Sequence, residues 1–232
     1  MSGSGAQHAK VAHVFCNGEL KDRAQAKTAA VSSDLLIAAD GGAQHVAALG
    51  LKPKAIVGDM DSIGTETWRR DESIARVTYP PDKDRSDAEL AIEYAFAQGC
   101  QQVSLVAAVG GRLDHTLGNI ALVAKYPGRV AIVDGHFTLV AVNSSEKCVL
   151  RGRVGSAVSL IPYGPDQVRV TTRGLKYSIK NKPLAFATHG LSNELCEAEA
   201  CVCVSGGVLL VCIETADDGP DGTRPGTGGP VK

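Results

Sequence analysis

The chain has 232 residues, a length that fits one large domain or two small ones. It is 44% hydrophobic and 21% charged, as ordinary globular proteins are, and its formal net charge of −1 argues against a general binder of nucleic acids or anionic membranes. No apolar run reaches the ~18 residues of a membrane span, and the N-terminus shows no apolar segment typical of a signal peptide. We therefore predict a cytoplasmic protein with neither a membrane nor a nucleic-acid partner.

Seven cysteines are present, and neither a CxxC pair nor a zinc-type Cys/His spacing occurs among them. Most lie within apolar stretches, where a free cysteine behaves as a small hydrophobic residue. This pattern favours a reducing environment in which the cysteines fill space, over a redox or metal-binding role.

Both ends of the chain have compositions that predict disorder. Residues 1–10 begin with the flexible sequence MSGSG, and residues 216–232 contain five Gly and three Pro. These segments have too few large apolar side chains to form a core, so we expect the folded part to span residues 11–215.

Between residues 11 and 142, short apolar runs alternate with helix-compatible stretches. The runs predict buried strands at Val11–Cys16, Leu35–Ala39, Ala55–Val57, Arg76–Tyr79, Val103–Ala107 and Val130–Val133. The stretches between them predict helices at Glu19–Val31, Gly42–Leu49, Asp87–Gln98 and His115–Tyr126. This alternation indicates an α/β sandwich with a mainly parallel sheet, and ligands bind at the carboxyl ends of such strands.

From residue 138 onward, β-like runs follow one another with no strong helix between them. They lie at Thr138–Val142, Lys147–Leu150, Ala157–Ile161, Val168–Thr172, Leu175–Ile179, Glu199–Val204 and Val208–Ile213. Such a series predicts an antiparallel β-sandwich or barrel. We place the boundary near Val142–Glu146, with an α/β domain over residues 11–142 and a β-sandwich domain over residues 143–215.

Asp40, Gly41 and Gly42 follow a predicted strand and open a predicted helix. Glycines let a ligand approach the backbone, and a helix N-terminus offers free N–H groups to a phosphate. A tight turn with Asp40 as its cap would use the same residues. The motif alone leaves both interpretations open.

Two carboxylates, Asp59 and Asp61, follow the next predicted strand in the sequence VGDMDS. In an extended backbone both side chains would point to one face, where like charges repel unless a cation lies between them. Mg²⁺ binds one or two carboxylates together with phosphate oxygens and water, so the pair predicts a magnesium site. The alternative is a solvated acidic turn.

The sequence DKDRSDAE opens the third predicted helix. Ser86 and Glu89 form a capping box, and an acid at Asp87 suits either the first helical turn or a metal ion. Capping does not account for Lys83 and Asp84, which could hold a metal-bound polyphosphate. We therefore assign Lys83 and Asp84 to nucleotide binding.

A second glycine-rich loop, GGRLDH, joins a predicted strand to the last predicted helix. Gly111 and Arg112 suit a polyanion, because a guanidinium donates bidentately to phosphate oxygens. Asp114 would orient Arg112 or cap the helix, and His115 alone predicts a structural role. The later polar loop THGLSNE is by itself typical of a turn.

Motifs of several common enzyme classes are missing from the sequence. It contains no GxxxxGK[ST] loop, no GxGxxG after a strand, no HExxH and no GxSxG. P-loop ATPases, standard NAD enzymes, zincins and α/β-hydrolases are therefore disfavoured.

Taken in order, ADGGA, KPKAIVGDMDSI, KDRSDAELAIEYA and GGRLDHTLGNI resemble the motifs of the thiamine pyrophosphokinase family. GLKYSI and HGLSNE resemble that family's C-terminal segments, and the match runs from about Asp40 to Val211. The resemblance implies an N-terminal α/β domain, a C-terminal β-sandwich and a homodimer with active sites between subunits. The sequence departs from the family pattern at Met60, where Phe is commoner, and at Ser86, where Thr is commoner.

The same resemblance implies roles for individual residues. It assigns Mg²⁺ to Asp59, Asp61 and Asp87, the nucleotide to Asp40, Gly41, Gly42, Asp84 and Ser86, the transferred phosphates to Arg112 and Asp114, and the thiamine pyrimidine to Ser192 and Asn193.

We therefore predict an Mg²⁺-dependent enzyme that transfers the pyrophosphoryl group of ATP to the hydroxyl of thiamine, giving thiamine diphosphate and AMP. Arg112 would stabilise charge on the phosphates, and Asp87 or Asp114 could accept the hydroxyl proton. Three alternatives stay open: a pyrophosphokinase for a pterin alcohol, a DxD glycosyltransferase that uses Asp59 and Asp61, and a sensor that binds thiamine or a nucleotide without turnover.

Overall fold

Two β-sheets, with helices packed on both faces of the first, make up the described part of the chain. The computed structural model describes residues 9–59, 68, 71–80, 84–145, 147–215 and 226–228. The helices described in full are α1 (Arg23–Val31), α2 (Gly42–Ala48), α3 (Asp87–Ala97) and α4 (Leu113–Lys125). Within those ranges, no helix has both the length and the apolar character needed to cross a membrane.

Fifteen strands are described, and they form one sheet of ten strands and one of five. In chain order they are β1 (Val11–Phe15), β2 (Leu35–Ala39), β3 (Ala55–Gly58), β4 (Ala75–Thr78), β5 (Gln102–Val106), β6 (Val130–Asp134), β7 (Phe137–Val142), β8 (Lys147–Arg151), β9 (Ala157–Tyr163), β10 (Val168–Arg173), β11 (Lys182–Leu184), β12 (Asn193–Glu194), β13 (Glu199–Ser205), β14 (Val208–Glu214) and β15 (Gly226–Gly228). The strand order is β12-β9-β14-β7-β6-β5-β1-β2-β3-β4 in the first sheet and β11-β10-β13-β8-β15 in the second.

Strands β1 to β6 pair in parallel and form one half of the ten-stranded sheet. Helices α1 and α2 pack on one face of this half, and α3 and α4 pack on the other. The strand order turns back at β1, with β2 to β4 on one side and β5 and β6 on the other. Ligands bind beyond the carboxyl ends of the strands at such a point, so the fold itself indicates where a site belongs.

The other half of the ten-stranded sheet consists of β7, β14, β9 and β12 in antiparallel pairing. It packs on the five-stranded antiparallel sheet, and apolar side chains such as Leu150, Leu160 and Val202 fill the core between them. The predicted fold class, an α/β layer followed by a β-sandwich, is confirmed. The two parts share one continuous sheet, because β14 pairs with β7 across the boundary predicted near Val142–Glu146.

Helix starts follow local capping chemistry. The predicted helix Glu19–Val31 begins only at Arg23, because Asp22 caps it and its Oδ1 accepts a hydrogen bond from the Gln25 N–H at 2.9 Å. Helix α3 begins at Asp87 as predicted, and the Ser86 Oγ accepts from the Glu89 N–H at 3.3 Å. The Glu89 carboxylate pairs with Lys125 of α4 at 2.6 Å, so this acid joins two helices on the same sheet face.

Two expectations differ from the structure. The predicted strand Leu175–Ile179 is wrong: Leu175 makes one isolated bridge to Leu195, and the rest is irregular. The tail over residues 216–232 was expected to be disordered throughout, but Gly226–Gly228 forms a short strand against β8.

Candidate functional site

The loops that follow β1, β2, β3 and β5 meet at the carboxyl edge of the parallel half. The Gly18 N–H donates to the Ala107 carbonyl at 2.8 Å, which joins the loop after β1 to the loop after β5. The Asp40 N–H donates to the Val57 carbonyl at 2.9 Å, which joins the turn after β2 to the end of β3. Four stretches that are distant in sequence therefore form one edge.

Asp40 and Asp87 approach each other across Gly58. A Cβ placed on Gly58 would lie 3.1 Å from the Asp40 Cβ and 3.1 Å from the Asp87 Oδ1. Gly58 has φ +151° and Asp40 has φ +43°, so the backbone here adopts angles that ordinary residues avoid. Asp59 follows directly, which places three of the predicted acidic residues at this edge.

The electrostatics of this edge favour a cation. The Asp40 Oδ1 is buried, and it has no hydrogen-bond partner among the residues that the structure describes. A buried carboxylate oxygen without a partner is unfavourable unless a positive charge compensates it. Asp59 and Asp87 are both half-buried beside it, so a cation here would reduce repulsion among the three acids.

The donor chemistry fits Mg²⁺. Carboxylate oxygens are its preferred protein ligands, and it binds few of them because it keeps several waters and takes phosphate oxygens from a substrate. Within the described ranges no group of three or more His, Cys, Asp or Glu side chains is placed to hold a metal ion. Asp61, one of the three predicted ligands, lies outside the described residues, as does Lys83.

The glycines that open α2 permit close packing against the end of β1. A Cβ on Gly42 would collide with the Phe15 carbonyl oxygen, and a Cβ on Gly41 would lie 2.5 Å from the Asn17 side chain. Asn17 therefore lies over Gly41 at the same edge, although the sequence analysis did not select it. Its position directly after a buried strand is the signal that could have identified it.

Glu19 is a second residue of the edge that sequence reasoning missed. A Cβ on Gly110 would lie 2.7 Å from the Glu19 Cγ and Cδ, so Glu19 covers the loop that leads to Arg112. The carbonyl of Gly18, between the two missed residues, lies 2.9 Å from the His45 Nε2 of α2. These contacts run from Gly110 across β1 towards the acidic residues.

Arg112 and Asp114 form an exposed pair at the start of α4. The Arg112 Nε donates to the Asp114 Oδ1 at 3.1 Å, and its Nη2 donates to Oδ2 at 2.5 Å. This hydrogen bonding from Arg112 lowers the pKa of Asp114 from 3.8 to about 2 and raises the pKa of Arg112. Asp114 is therefore suited to orienting the guanidinium and is a weak acceptor of protons.

The remaining predicted nucleotide residues lie at the start of α3. The Ser86 hydroxyl caps the helix, and Asp84 is exposed in the turn before it. The neighbouring Arg85 pairs with Glu93 at 2.5 Å, which directs that guanidinium along the helix.

Asn193, a predicted thiamine residue, holds a neighbouring loop in place. It is 5% exposed, and its Oδ1 accepts from the N–H groups of Tyr177 at 3.0 Å and Glu194 at 2.9 Å. Its Nδ2 donates to the Tyr177 carbonyl at 2.9 Å. Ser192 is exposed with φ +59°, and its N–H donates to the Ser159 Oγ at 3.3 Å.

Tyr177 is the exposed aromatic side chain that this loop presents. It is 61% exposed, and the Lys176 ammonium lies 5.6 Å from its ring centre while pairing with Glu194 at 3.0 Å. In the sequence, Tyr177 is marked only by its place in GLKYSI. Its role as a displayed ring depends on Asn193, sixteen residues further along the chain.

We call the edge that contains Asp40, Asp59 and Asp87 the acidic edge, and the irregular loop that carries Tyr177 the Tyr177 loop. These two regions lie far apart within one chain. The Asn193 strand β12 is the first strand of the ten-stranded sheet, and the Asp40 strand β2 is the eighth. With neighbouring strands about 4.8 Å apart, the two regions are separated by on the order of 30 Å.

An α/β sheet with carboxylates at its switch point is typical of enzymes that handle phosphate groups with the help of a divalent cation. Comparisons with known proteins define the class further. One family model, "Thiamin pyrophosphokinase, catalytic domain", matches residues 26–133, and a second, "Thiamin pyrophosphokinase, vitamin B1 binding domain", matches residues 142–209. The chain belongs to the thiamine pyrophosphokinase family.

Individual relatives agree with the family models. A thiamine pyrophosphokinase of Bacillus subtilis is 28% identical over 187 residues, covering 78% of this chain and 87% of that protein. A thiamine pyrophosphokinase of Oryza sativa subsp. japonica is 27% identical and covers 66% of this chain and 68% of its own length.

Solved structures share the fold. The crystal structure of the Bacillus subtilis thiamine pyrophosphokinase superposes with a TM-score of 0.76 at 24% identity, over 89% of this chain and 99% of that one. A thiamin pyrophosphokinase from Candida albicans gives 0.74 at 14% identity, over 90% of each chain.

Proposed function

We propose that this protein is a thiamine pyrophosphokinase that transfers the pyrophosphoryl group of ATP to the hydroxyl of thiamine, releasing AMP. Membership of the family supports the substrate pair. The observation that carries the chemistry is the approach of Asp40 and Asp87 across Gly58, with Asp59 beside them. Such a group of carboxylates at a sheet edge suits a polyphosphate held through a cation.

We assign Mg²⁺ to Asp59, Asp61 and Asp87. Asp40 would be close enough for the positive charge of the ion to stabilise its carboxylate. When bound, the ion would supply neutralisation of the phosphate oxygens and help to align the group that is transferred. The acidic residues themselves fix where the phosphates sit. The attachment of Asp40, Asp59 and Asp87 to the ends of β2 and β3 and to the start of α3 would reduce reorganisation during transfer.

Arg112 would stabilise the charge that develops on the transferred phosphates. Its guanidinium is aligned by both oxygens of Asp114, so it reaches the substrate with its orientation already set. Because the pKa of Asp114 is about 2, we assign the thiamine hydroxyl proton to Asp87 in preference to Asp114. Phosphate transfer needs only weak base assistance, so a carboxylate suffices.

The thiamine end of the substrate would bind at the loop that contains Ser192. We propose that the exposed Tyr177 ring stacks on thiamine and that Asn193 acts by holding the Tyr177 backbone. The Asn193 amide already uses its donor and acceptor within the chain, which supports a positioning role over direct contact.

We further propose a homodimer with active sites between subunits. The separation of on the order of 30 Å between the acidic edge and the Tyr177 loop supports this, because one thiamine diphosphate cannot bridge it within a chain. The start of α4 supports it too. Leu113 and Leu117 are 71% and 57% exposed on this helix, where a partner could cover them.

Formation of thiamine diphosphate from thiamine and ATP tests the proposal. We expect product with Mg²⁺ and none with a chelator, and Asp87→Asn should reduce kcat by at least ~100-fold because it removes a proposed metal ligand. Asp166→Asn, which changes an exposed acid in the turn between β9 and β10, is the matched control and should retain activity. Full activity of a folded Asp87→Asn protein would contradict the assignment of the site.

A further inference from the structure

Cys201 and Cys203 lie next to each other on the outer side of the five-stranded sheet. Residues on β13 alternate, so Ala200, Val202 and Val204 enter the core while the two cysteines face away from it. Their sulfur atoms are 3.8 Å apart, and both side chains are partly exposed. The pair is a free dithiol, since a disulfide would bring the sulfurs to about 2.05 Å.

The distance between the two sulfur atoms matches the distance between two thiolates that bind one tetrahedral metal ion. With metal–sulfur bonds of about 2.3 Å, two thiolates of one tetrahedral site lie about 3.8 Å apart. The pair therefore needs no backbone movement to chelate an ion. The strand supplies rigidity as well, because β13 pairs along its length with β10 and β8.

We propose that Cys201 and Cys203 form a bidentate site for one soft divalent ion of the Zn²⁺ and Cd²⁺ class, separate from the acidic edge. Sulfur ligands select such ions over Mg²⁺, which prefers oxygen. Two thiolates balance the charge of the ion, and water would complete its coordination.

The surroundings of Cys201 disfavour its thiolate form, which makes binding of an ion dependent on pH. Burial, the neighbouring Cys203 and a hydrogen bond with it raise the pKa of Cys201, while Lys147 opposes this shift. A thiol with a raised pKa is a poor nucleophile towards peroxides. A thiophilic ion displaces the protons directly, and two protons leave for each ion bound.

Titration of the reduced protein with Cd²⁺, followed by sulfur-to-cadmium charge-transfer absorbance in the ultraviolet, tests the site. We expect one ion per chain, displaced by Zn²⁺ and unaffected by excess Mg²⁺. Cys201→Ser and Cys203→Ser should each weaken binding by at least about tenfold, because each removes one of two protein ligands. The same changes should leave thiamine diphosphate formation intact, which separates this site from the proposed catalytic one.

Cys196→Ser and Cys212→Ser are the matched controls, since each removes a cysteine outside the pair. Both should keep the charge-transfer band, and far-ultraviolet circular dichroism would establish that the four single variants and the Cys201→Ser/Cys203→Ser double variant fold. Absence of the band in the folded wild-type protein would overturn the proposal. So would a band of equal strength in the Cys201→Ser/Cys203→Ser double variant.

Discussion

Gly58 is the residue around which the acidic edge is built. A Cβ on this residue would lie 3.1 Å from both the Asp40 Cβ and the Asp87 Oδ1, and the Gly58 φ of +151° disfavours any residue other than glycine. We predict that Gly58→Ala lowers kcat/KM by at least ~10-fold, because it displaces the carboxylates by a fraction of an ångström. Gly155→Ala also places alanine at a positive φ, +92°, but in open space, and it should leave steady-state kinetics unchanged. Equal activity of the two variants would argue against this geometry.

The Arg112–Asp114 pair allows a pH test of roles. The lowered pKa keeps Asp114 ionised at every pH above about 2, and the attraction to Arg112 weakens only as the pH falls towards that value. We therefore predict that Asp114→Asn lowers kcat/KM through poorer orientation of Arg112 but leaves the shape of the rate profile between about pH 5 and 9 unchanged. Loss of the acidic limb of that profile in the variant would identify Asp114 as the base.

At the scale of single residues, the sequence indicates the candidate acids more readily than it indicates the side chains that pack beside the glycines of the edge. Asp40, Asp59 and Asp87 could be selected because each acid follows a recognisable strand end or helix start. Asn17 follows a buried strand and could have been selected in the same way. Glu19 could not, because its place beside Gly110 depends on β1 lying next to β5. Strand order is a property of the whole sheet and has no local signal.

Elements of the α/β half were predictable because each strand is a short, fully buried apolar run. The failure at Leu175–Ile179 has a physical cause. Side chains make part of the hydrogen bonding that a neighbouring strand would otherwise provide: the Asn193 side chain bonds to the Tyr177 backbone, and the Thr172 Oγ1 accepts from the Ile179 N–H at 2.9 Å. The Lys176 N–H and the Ile179 carbonyl bond to backbone groups, so the pairing of this segment is interrupted. Side chains that replace a strand partner leave the apolar pattern of the sequence unchanged.

Substitution of Asn193 therefore tests whether its hydrogen bonds hold the Tyr177 loop in place. Asn193→Ala removes three partly buried hydrogen bonds and should reduce the free energy of unfolding by about 1–3 kcal/mol. It should raise the KM for thiamine with little change in the KM for ATP, because it releases the Tyr177 loop.

Ser192→Ala, which changes the exposed neighbour of Asn193, is the control and should leave the free energy of unfolding within about 0.5 kcal/mol of wild type. Urea titration and two-substrate kinetics would measure both effects, and an unchanged KM for thiamine in Asn193→Ala would contradict the positioning role.

The whole molecule is organised by one sheet that joins both halves. Sequence patterns identify an α/β part and a β part, but the pairing of β14 with β7 sets them in a single sheet. That pairing joins segments far apart in sequence, so only the packed structure selects it. The sheet also separates the acidic edge from the Tyr177 loop, and this separation is the reason why we propose that a second subunit completes the site.

Mixing two inactive variants tests this arrangement. Asp87→Asn and Tyr177→Ala each damage a different end of the proposed site, so a mixed dimer would contain one intact site and one doubly altered site. Equal amounts, exchanged to equilibrium, should recover about a quarter of wild-type activity by random pairing. Asp87→Asn mixed with inactive Asp59→Asn is the control and should recover nothing, since both changes lie at the same end. If subunit exchange is demonstrated and neither mixture recovers activity, the proposal that the active sites lie between subunits is contradicted.

The most direct test of the account is the identity of the products. The purified protein would be incubated with thiamine, ATP and Mg²⁺, and the phosphorus species would be followed by ³¹P NMR. The account predicts AMP and thiamine diphosphate in equal amounts, with no thiamine monophosphate before them. Appearance of ADP with thiamine monophosphate, or no thiamine-dependent product from the folded protein, would contradict it.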